Sequence, residues 1–414
     1  MPSHAPLRAG AGVPVSKIGA RRVATIAFAA QGACVAAVYT TVPAITEHLK
    51  LAPLLTTALT VAVALAAGGG SFLGLAAIRR AGPVAAMRGA MLAAVAALVL
   101  IGWAPGRTSV TCAYLLFGLA VGALDVGVNT RAAEIERAYG HSVFGSFYTA
   151  WSMGGVVAAL LTAGAARLEW PVADGLTLQA GSVLLLAVCM RTHDLPVPQG
   201  SQAAVAQTRL GHRVWVRLIP FGLVLLVVYV IESSVSAWSA FYLRQTLAAS
   251  LTVAPLAYAA YQAGTVIGRA GTDRLVQKLG TGTVVRTAAL LAAGALAALA
   301  AAPGWPFAVL AAGAVGLGAS VLAPLCLASA ARLRPTASEA VLARLNLFNY
   351  VGVVTGGAVG GLLGSTGHFR LAYALPAALA VLLLAAARHF TQPSIPTRTE
   401  RIPPVERADP RPLG

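Results

Sequence analysis

The sequence predicts an all-α integral membrane protein, with twelve transmembrane helices arranged as two pseudo-symmetric six-helix bundles. Three observations carry this reading. Of the 414 residues, 58% are hydrophobic and only 10% are charged, where a soluble domain carries about 25% charge. The apolar runs are each about 20 residues long, enough for a helix to cross a hydrocarbon core about 30 Å thick; barrel strands would be about ten residues and alternating. The basic residues are also divided unequally. Of the 30 lysines and arginines, 25 fall on one set of alternate loops; only Lys50, Arg107, Arg167, Arg244 and Arg370 fall on the other. This is the positive-inside bias, and it places both termini in the cytoplasm of a bacterial inner membrane. The net charge of +17 therefore reflects topology and not a nucleic-acid partner.

The expected spans are residues 22–45, 53–77, 84–103, 109–131, 143–166, 172–190, 218–243, 252–272, 283–302, 306–330, 339–364 and 369–388. The first run is preceded by too long a polar stretch for a cleaved signal peptide, so it reads as a true span. The expected domains follow: a cytoplasmic N-terminal segment 1–21, a first bundle 22–190, a cytoplasmic linker 191–217 and a second bundle 218–390. A tail, 391–414, is rich in Pro and Arg and is expected to be disordered.

The halves read as distant copies. Span 4 has FGLAVGALD where span 10 has VGLGASVLA, and Gly-Gly pairs recur at Gly154–Gly155 and Gly356–Gly357. Asp125 has only Ala323 or Pro324 opposite it, so the polar chemistry is not duplicated. Paired halves with a site between them describe one major class of secondary transporter.

Span 4 carries the first candidate. At about 100° per residue, Thr111, Tyr114, Gly118, Gly122, Asp125 and Asn129 fall within roughly 40° of one line. Such a stripe turns away from lipid, toward other helices or a wet cavity. A carboxylate is costly as an anion in low dielectric, so Asp125 is a candidate for proton coupling or substrate binding. The competing reading is a structural pair with an arginine near the cytoplasmic end of the helix. Glu232 in span 7, with Ser236 and Ser239 on its face, is the second candidate; an interhelical hydrogen bond is its alternative. Softer cavity candidates are Gln31, Tyr148 and Trp151 (with Ser152), Tyr258 and Gln262 (with Thr265), and Asn346, Asn349 and Tyr350. For each alone, interhelical packing or hydrogen bonding is the favoured reading; together they argue for a polar cavity. Glu134, Glu136 and Arg137 read as a solvated charged turn.

The four cysteines, Cys34, Cys112, Cys189 and Cys326, sit inside apolar runs with neither metal-ligand nor disulfide spacing. No Walker loop, GxGxxG or zinc motif occurs, which argues against ATP-driven transport. No cofactor, metal or catalytic residue is expected, and an enzyme is disfavoured for want of a nucleophile–base pair.

Twelve spans, a long central loop and Gly268, Arg269, Gly271, Asp273, Arg274 and Gly280 after span 8 together resemble the major facilitator superfamily over residues 18–390. The run GALDVGVNTRAAEIERAYG with FYTAWSMGG resembles its bacterial branch near the fucose-permease-like carriers. Two departures stand out. Ile78 occupies the place of the family's aspartate in the first-half loop. Span 5 also lacks the Gly-Pro-x-x-Gly-Gly element of proton-driven drug exporters, which weakens an efflux reading. The resemblance implies a secondary carrier in the lipid bilayer, expected as a monomer, that moves a small organic, sugar-like solute by alternating access; a proton is the expected coupling ion, with Na⁺ coupling or facilitated diffusion as the alternatives. It also implies that Gly268, Arg269, Asp273 and Arg274 form a gating motif in the loop, where Asp273 caps a neighbouring helix. Efflux of a drug or secondary metabolite is the alternative, and a non-transporting membrane sensor is a weaker one.

Overall fold

The computed structural model describes residues 15–140, 143–189, 212–333 and 338–390. Among the described residues the chain is helical: α1 (Val15–His48), α2 (Pro53–Ala81), α3 (Pro83–Gly102), α4 (Arg107–Tyr139), α5 (Phe144–Arg167), α6 (Val172–Cys189), α7 (His212–Gln245), α8 (Pro255–Leu279), α9 (Thr281–Ala301), α10 (Trp305–Ala319), α11 (Leu322–Ala331), α12 (Ser338–Ser365) and α13 (Leu371–Ala386), with a 3₁₀ turn at Ala387–Phe390. Nine segments among the described residues are long and apolar enough to cross a membrane, one of them being α10 and α11 together; Val172–Val188 and Leu371–Ala386 are shorter apolar helices. With the 25-residue α8, they match the twelve expected spans in order.

Helix starts and stops follow backbone chemistry. Proline stands in the first turn of α2, α3, α8 and α10, where its missing N–H costs nothing. Gly280 (φ +77°) ends α8, and its N–H closes on the Val276 carbonyl in a conformation glycine adopts without strain.

The expected first span and first domain begin at 22, but α1 starts at Val15; likewise α7 starts at His212, inside the expected linker 191–217. Hydropathy marks the apolar slab, not the helix end. The basic turns outside the slab remain helical and find partners: Lys17 Nζ donates to the Ala138 carbonyl (2.5 Å) and Arg21 to Ser146 Oγ (3.3 Å). Segment 1–14, the linker at 190–211 and the tail 391–414 lie outside the described residues.

The packing repeats. In the first half α2 lies on α4, α1 on α5, and α3 on α4 and α6; in the second, α8 lies on α10, α7 on α12, and α9 on α10 and α13. Each half has its own Ala-rich apolar core. The halves meet where α5 contacts α8 and α2 contacts α12, two related seams, and along α1–α7. Small residues allow the close crossings. A Cβ at Gly118 of α4 would sit 2.6 Å from the Val63 carbonyl oxygen, and one at the corresponding Gly316 of α10 would sit 2.0 Å from the Tyr261 carbonyl oxygen.

The repeat fails at one place. Where α4 is a continuous 33 residues, the tenth span breaks at Ser320–Val321 into α10 and α11. Pro324 has no N–H to give the carbonyl four residues back, that of Ser320, and its ring crowds that carbonyl.

Candidate functional site

The α4 stripe points as expected. Tyr114, Gly118 and Gly122 are buried, with both glycines against α2, and Asp125 reaches α1. There Gln31 Nε2 donates to Asp125 Oδ1 at 3.0 Å. One turn on, Asn129 Nδ2 donates to the Asp125 carbonyl (2.9 Å), and Tyr148 Oη on α5 donates to Asn129 Oδ1 (3.2 Å). The Tyr148 ring is fixed between Phe144 (centroids 6.0 Å, 27° between planes) and Phe28 (5.4 Å, 61°).

From the other half, Arg269 of α8 crosses the seam. Its Nη1 donates to the Tyr148 carbonyl (3.0 Å) and to Ser152 Oγ (3.2 Å), and its guanidinium stands 5.7 Å from the Tyr148 ring centroid. The same charge acts on Glu232 of α7. Glu232 in turn lies in electrostatic range of Tyr39, Tyr229, Tyr258 and Tyr261, and Asp125 in range of Tyr148, Tyr229 and Tyr350. Two acids and one arginine thus share a tyrosine-lined neighbourhood between the halves.

Tyr258 and Gln262 border it. Gln262 Nε2 donates to Tyr258 Oη (2.9 Å), and both side chains press on Gly155 of α5. Ser236 and Ser239 are buried, and among the described residues their hydroxyls meet no partner.

Trp151, Asn346, Asn349 and Tyr350 take no part in these hydrogen bonds. Trp151 is partly buried against the first-half core, and its backbone abuts Gly32. Asn346 and Tyr350 are exposed on α12, where Asn349 Nδ2 donates to Asn346 Oδ1 (3.1 Å). The gating motif is not a loop: Gly268, Arg269, Asp273 and Arg274 all lie within α8. The helix runs on through Gly264, Gly268 and Gly271 to Leu279, so the charges ride on its last turns. Gly268 packs on Leu317 and Ser320; Asp273 and Arg274 are exposed, and among the described residues Asp273 has no hydrogen-bond partner. The charged turn after Asp125 is also more than solvated. Glu136 Oε2 accepts from the Val143 and Phe144 N–H groups (2.9 and 3.1 Å), capping the start of α5, and Arg131 is buried and pairs with Glu134 (2.8 Å). Free N–H groups at a helix start favour such an anion.

At the end of the bundle opposite Val15 and Phe390, two contacts missed in the sequence join the halves. Arg244 forks onto Glu47 (Nε–Oε1 2.5 Å, Nη2–Oε2 3.1 Å), and Thr57 Oγ1 donates to the Gly361 carbonyl (2.9 Å). Tyr39, Tyr229 and Tyr261 were missed as well. In apolar runs they carry no signal beyond that of core aromatics.

Among the described residues no three His, Cys, Asp or Glu side chains gather as metal ligands. Residues 221–413 match the profile of the Major Facilitator Superfamily. An MFS-type transporter of Yersinia pestis, described as uncharacterised, is 27% identical over 281 residues, covering 68% of this chain and 72% of its own length. Over the second half the chain is thus similar to the major facilitator superfamily, and over more of its length to a membrane transporter of that type. An uncharacterised transporter of Sinorhizobium fredii is 28% identical, covering 73% of this chain and 80% of its own length, and the membrane protein MosC of Rhizobium meliloti is 25% identical, covering 71% of each. Solved structures share the fold at low identity. A variant of the nucleoside transporter NupG has TM-score 0.69 at 13% identity, covering 91% of this chain and all of its own. A D-xylose–proton symporter has TM-score 0.68 at 16% identity, covering 91% and 98%.

Proposed function

We propose that this protein is a carrier of the major facilitator type, coupled to protons and moving a small polar organic solute of sugar-like or nucleoside-like chemistry by alternating access. The observation that carries the reading is Arg269. It is a cation of the second half bonded to the α5 backbone and Ser152 of the first half, and in range of Glu232. A change in the ionisation of Glu232 alters the charge balance at the contact that must part when the halves rock. Tyrosines, amides and unpaired serine hydroxyls suit hydrogen bonding to a polyol while their rings stack on it. The solved relatives that transport nucleosides and D-xylose support that substrate class.

In this reading Asp125 and Glu232 couple or bind, and Gln31, Asn129, Tyr148, Ser236, Tyr258 and Gln262 line the cavity. The exposed Asn346 and Tyr350, with the partly buried Asn349, stand at its entrance. The halves, residues 15–189 and 212–390, move as bodies. The basic bias places the end bearing Val15 and Phe390 in the cytoplasm. In this reading the Glu47 and Thr57 contacts close the outer side. The carrier works as a monomer. In proteoliposomes an imposed proton gradient is expected to drive accumulation of a radiolabelled sugar or nucleoside from a panel. Flux indifferent to the gradient rejects coupling.

A further inference from the structure

We infer, resting on the carrier reading above, that the solute recognised between the halves carries a basic amine, whose ammonium is held by Asp125 and Glu232. Both acids are only partly buried, and among the described residues neither makes an ion pair. Gln31 donates to Asp125 Oδ1 and Asn129 stands within side-chain reach, but both are neutral amides. Tyr148 and Tyr229 each feel the charge of both acids, so the two carboxyls share one neighbourhood. Arg269 acts on the same two tyrosines and on Glu232. Its Nη1 is committed to the Tyr148 carbonyl and Ser152 Oγ, and it ion-pairs with neither acid. Two acids thus stand against one cation that is already engaged across the seam. An uncompensated charge in low dielectric is costly. A proton can cancel the excess on an empty carrier; an ammonium cancels it on a loaded one, and a neutral sugar does not.

The walls suit the same group. Besides Tyr148 and Tyr229, Tyr350 lies in range of Asp125 and Tyr258 in range of Glu232. An aromatic face attracts a cation, and Tyr148 already displays this chemistry, with the Arg269 guanidinium 5.7 Å from its ring centroid. Ser236, 7% exposed and one turn beyond Glu232 on the same face of α7, has a hydroxyl without a partner among the described residues. Carboxylates and a hydroxyl are acceptors, and an ammonium brings three donors and no acceptor. Charge-assisted bonds of this kind are about twice as strong as those a sugar hydroxyl makes. The amides of Gln31, Asn129 and Gln262 are left for the hydroxyls of the rest of the solute.

The test is a set of thermal-shift titrations on the purified full chain in detergent, since a bound solute stabilises the folded state. The probes are matched pairs, glucosamine with glucose and galactosamine with galactose, and N-acetylglucosamine, which keeps the nitrogen without its charge. The amines are expected to stabilise the chain at about ten- to a hundredfold lower concentration than their neutral partners, the span of one hydrogen bond to a charged group. N-acetylglucosamine is expected to behave as a neutral sugar. Asp125→Asn combined with Glu232→Gln keeps the shapes and removes the charges, and is expected to erase the preference in a monodisperse preparation. Neutral sugars that stabilise the native chain as well as the amines, amines that give no shift, or a preference that survives the double variant overturn the assignment. Binding is read at equilibrium without a gradient, so failure here leaves the carrier reading standing, and failure of gradient-driven flux leaves this result standing.

Discussion

Glu47 and Arg244, 197 residues apart in the chain, form a two-pronged ion pair joining the last turn of α1 to the last turn of α7. With Thr57 on the Gly361 carbonyl, it binds the two halves at one end. The Glu47 and Arg244 side chains are 42% and 33% exposed. Water and salt therefore screen the pair, and its worth is about 0.2–1 kcal/mol. Glu47→Ala is expected to shift the resting population toward the conformer open at that end by about one and a half- to fivefold, measured as alkylation of a cysteine placed nearby. The shift is expected to shrink at high salt, and the exchanged pair Glu47→Arg with Arg244→Glu is expected to restore native alkylation.

Glu232 lies within range of Arg269 on the far side of the seam from Tyr148. Glu232→Gln keeps size and hydrogen bonding but removes the exchangeable charge. Gradient-driven accumulation in proteoliposomes is expected to fall to background while equilibrium counterflow of the same solute persists. Full accumulation by this variant excludes Glu232 as the coupling acid.

Arg269 presents a planar fork to Tyr148 and Ser152 and stacks over the Tyr148 ring. Lysine offers a point charge that satisfies only part of that geometry. Arg269→Lys is expected to reduce initial transport rates about tenfold or more at unchanged expression, and native flux in that variant refutes the role given to this contact.

Gln31 is the side-chain donor that reaches Asp125 Oδ1. Gln31→Leu leaves a half-buried carboxyl oxygen unmet, a loss of about 1–3 kcal/mol. A lowered midpoint in a thermal or denaturant unfolding scan is expected, and Asp125→Asn in the same background is expected to recover part of it. No recovery would mean that Gln31 acts through packing alone.

Gly122 and Gly89 make a matched pair. A side chain at Gly122 would come 1.9 Å from the Ala67 carbonyl oxygen, whereas Gly89 has open space around it. Gly122→Ala is expected to abolish folded yield, and Gly89→Ala to leave the unfolding midpoint unchanged or slightly raised, because alanine favours helix. Size-exclusion profiles of the two variants give the comparison.

The scaffold was legible because run length and apolarity record the bilayer directly. Where a helix left the apolar slab the record stopped. The starts of α1 and α7 came too late, and the α8 charges were read as a loop because hydropathy falls there while the helix goes on to Leu279. Asp125, Glu232, Gln31 and Tyr148 stood out singly, since a polar group among alanines is conspicuous. Their partnerships did not: Gln31 and Asp125 are 94 residues apart and Arg269 and Tyr148 are 121 apart, and nothing in local spacing couples such positions. Glu136 looked like surface charge because its partners, the first N–H groups of α5, belong to the backbone and have no sequence signature.

The interruption at Ser320–Val321 makes the halves mechanically unequal. The α4 helix is a stiff lever, because bending it anywhere sacrifices backbone hydrogen bonds. The tenth span has already given up its bond at Pro324, so it can flex there at little added cost. The second half therefore carries, in its tenth span, a built-in point of flexure that the matching fourth span of the first half lacks.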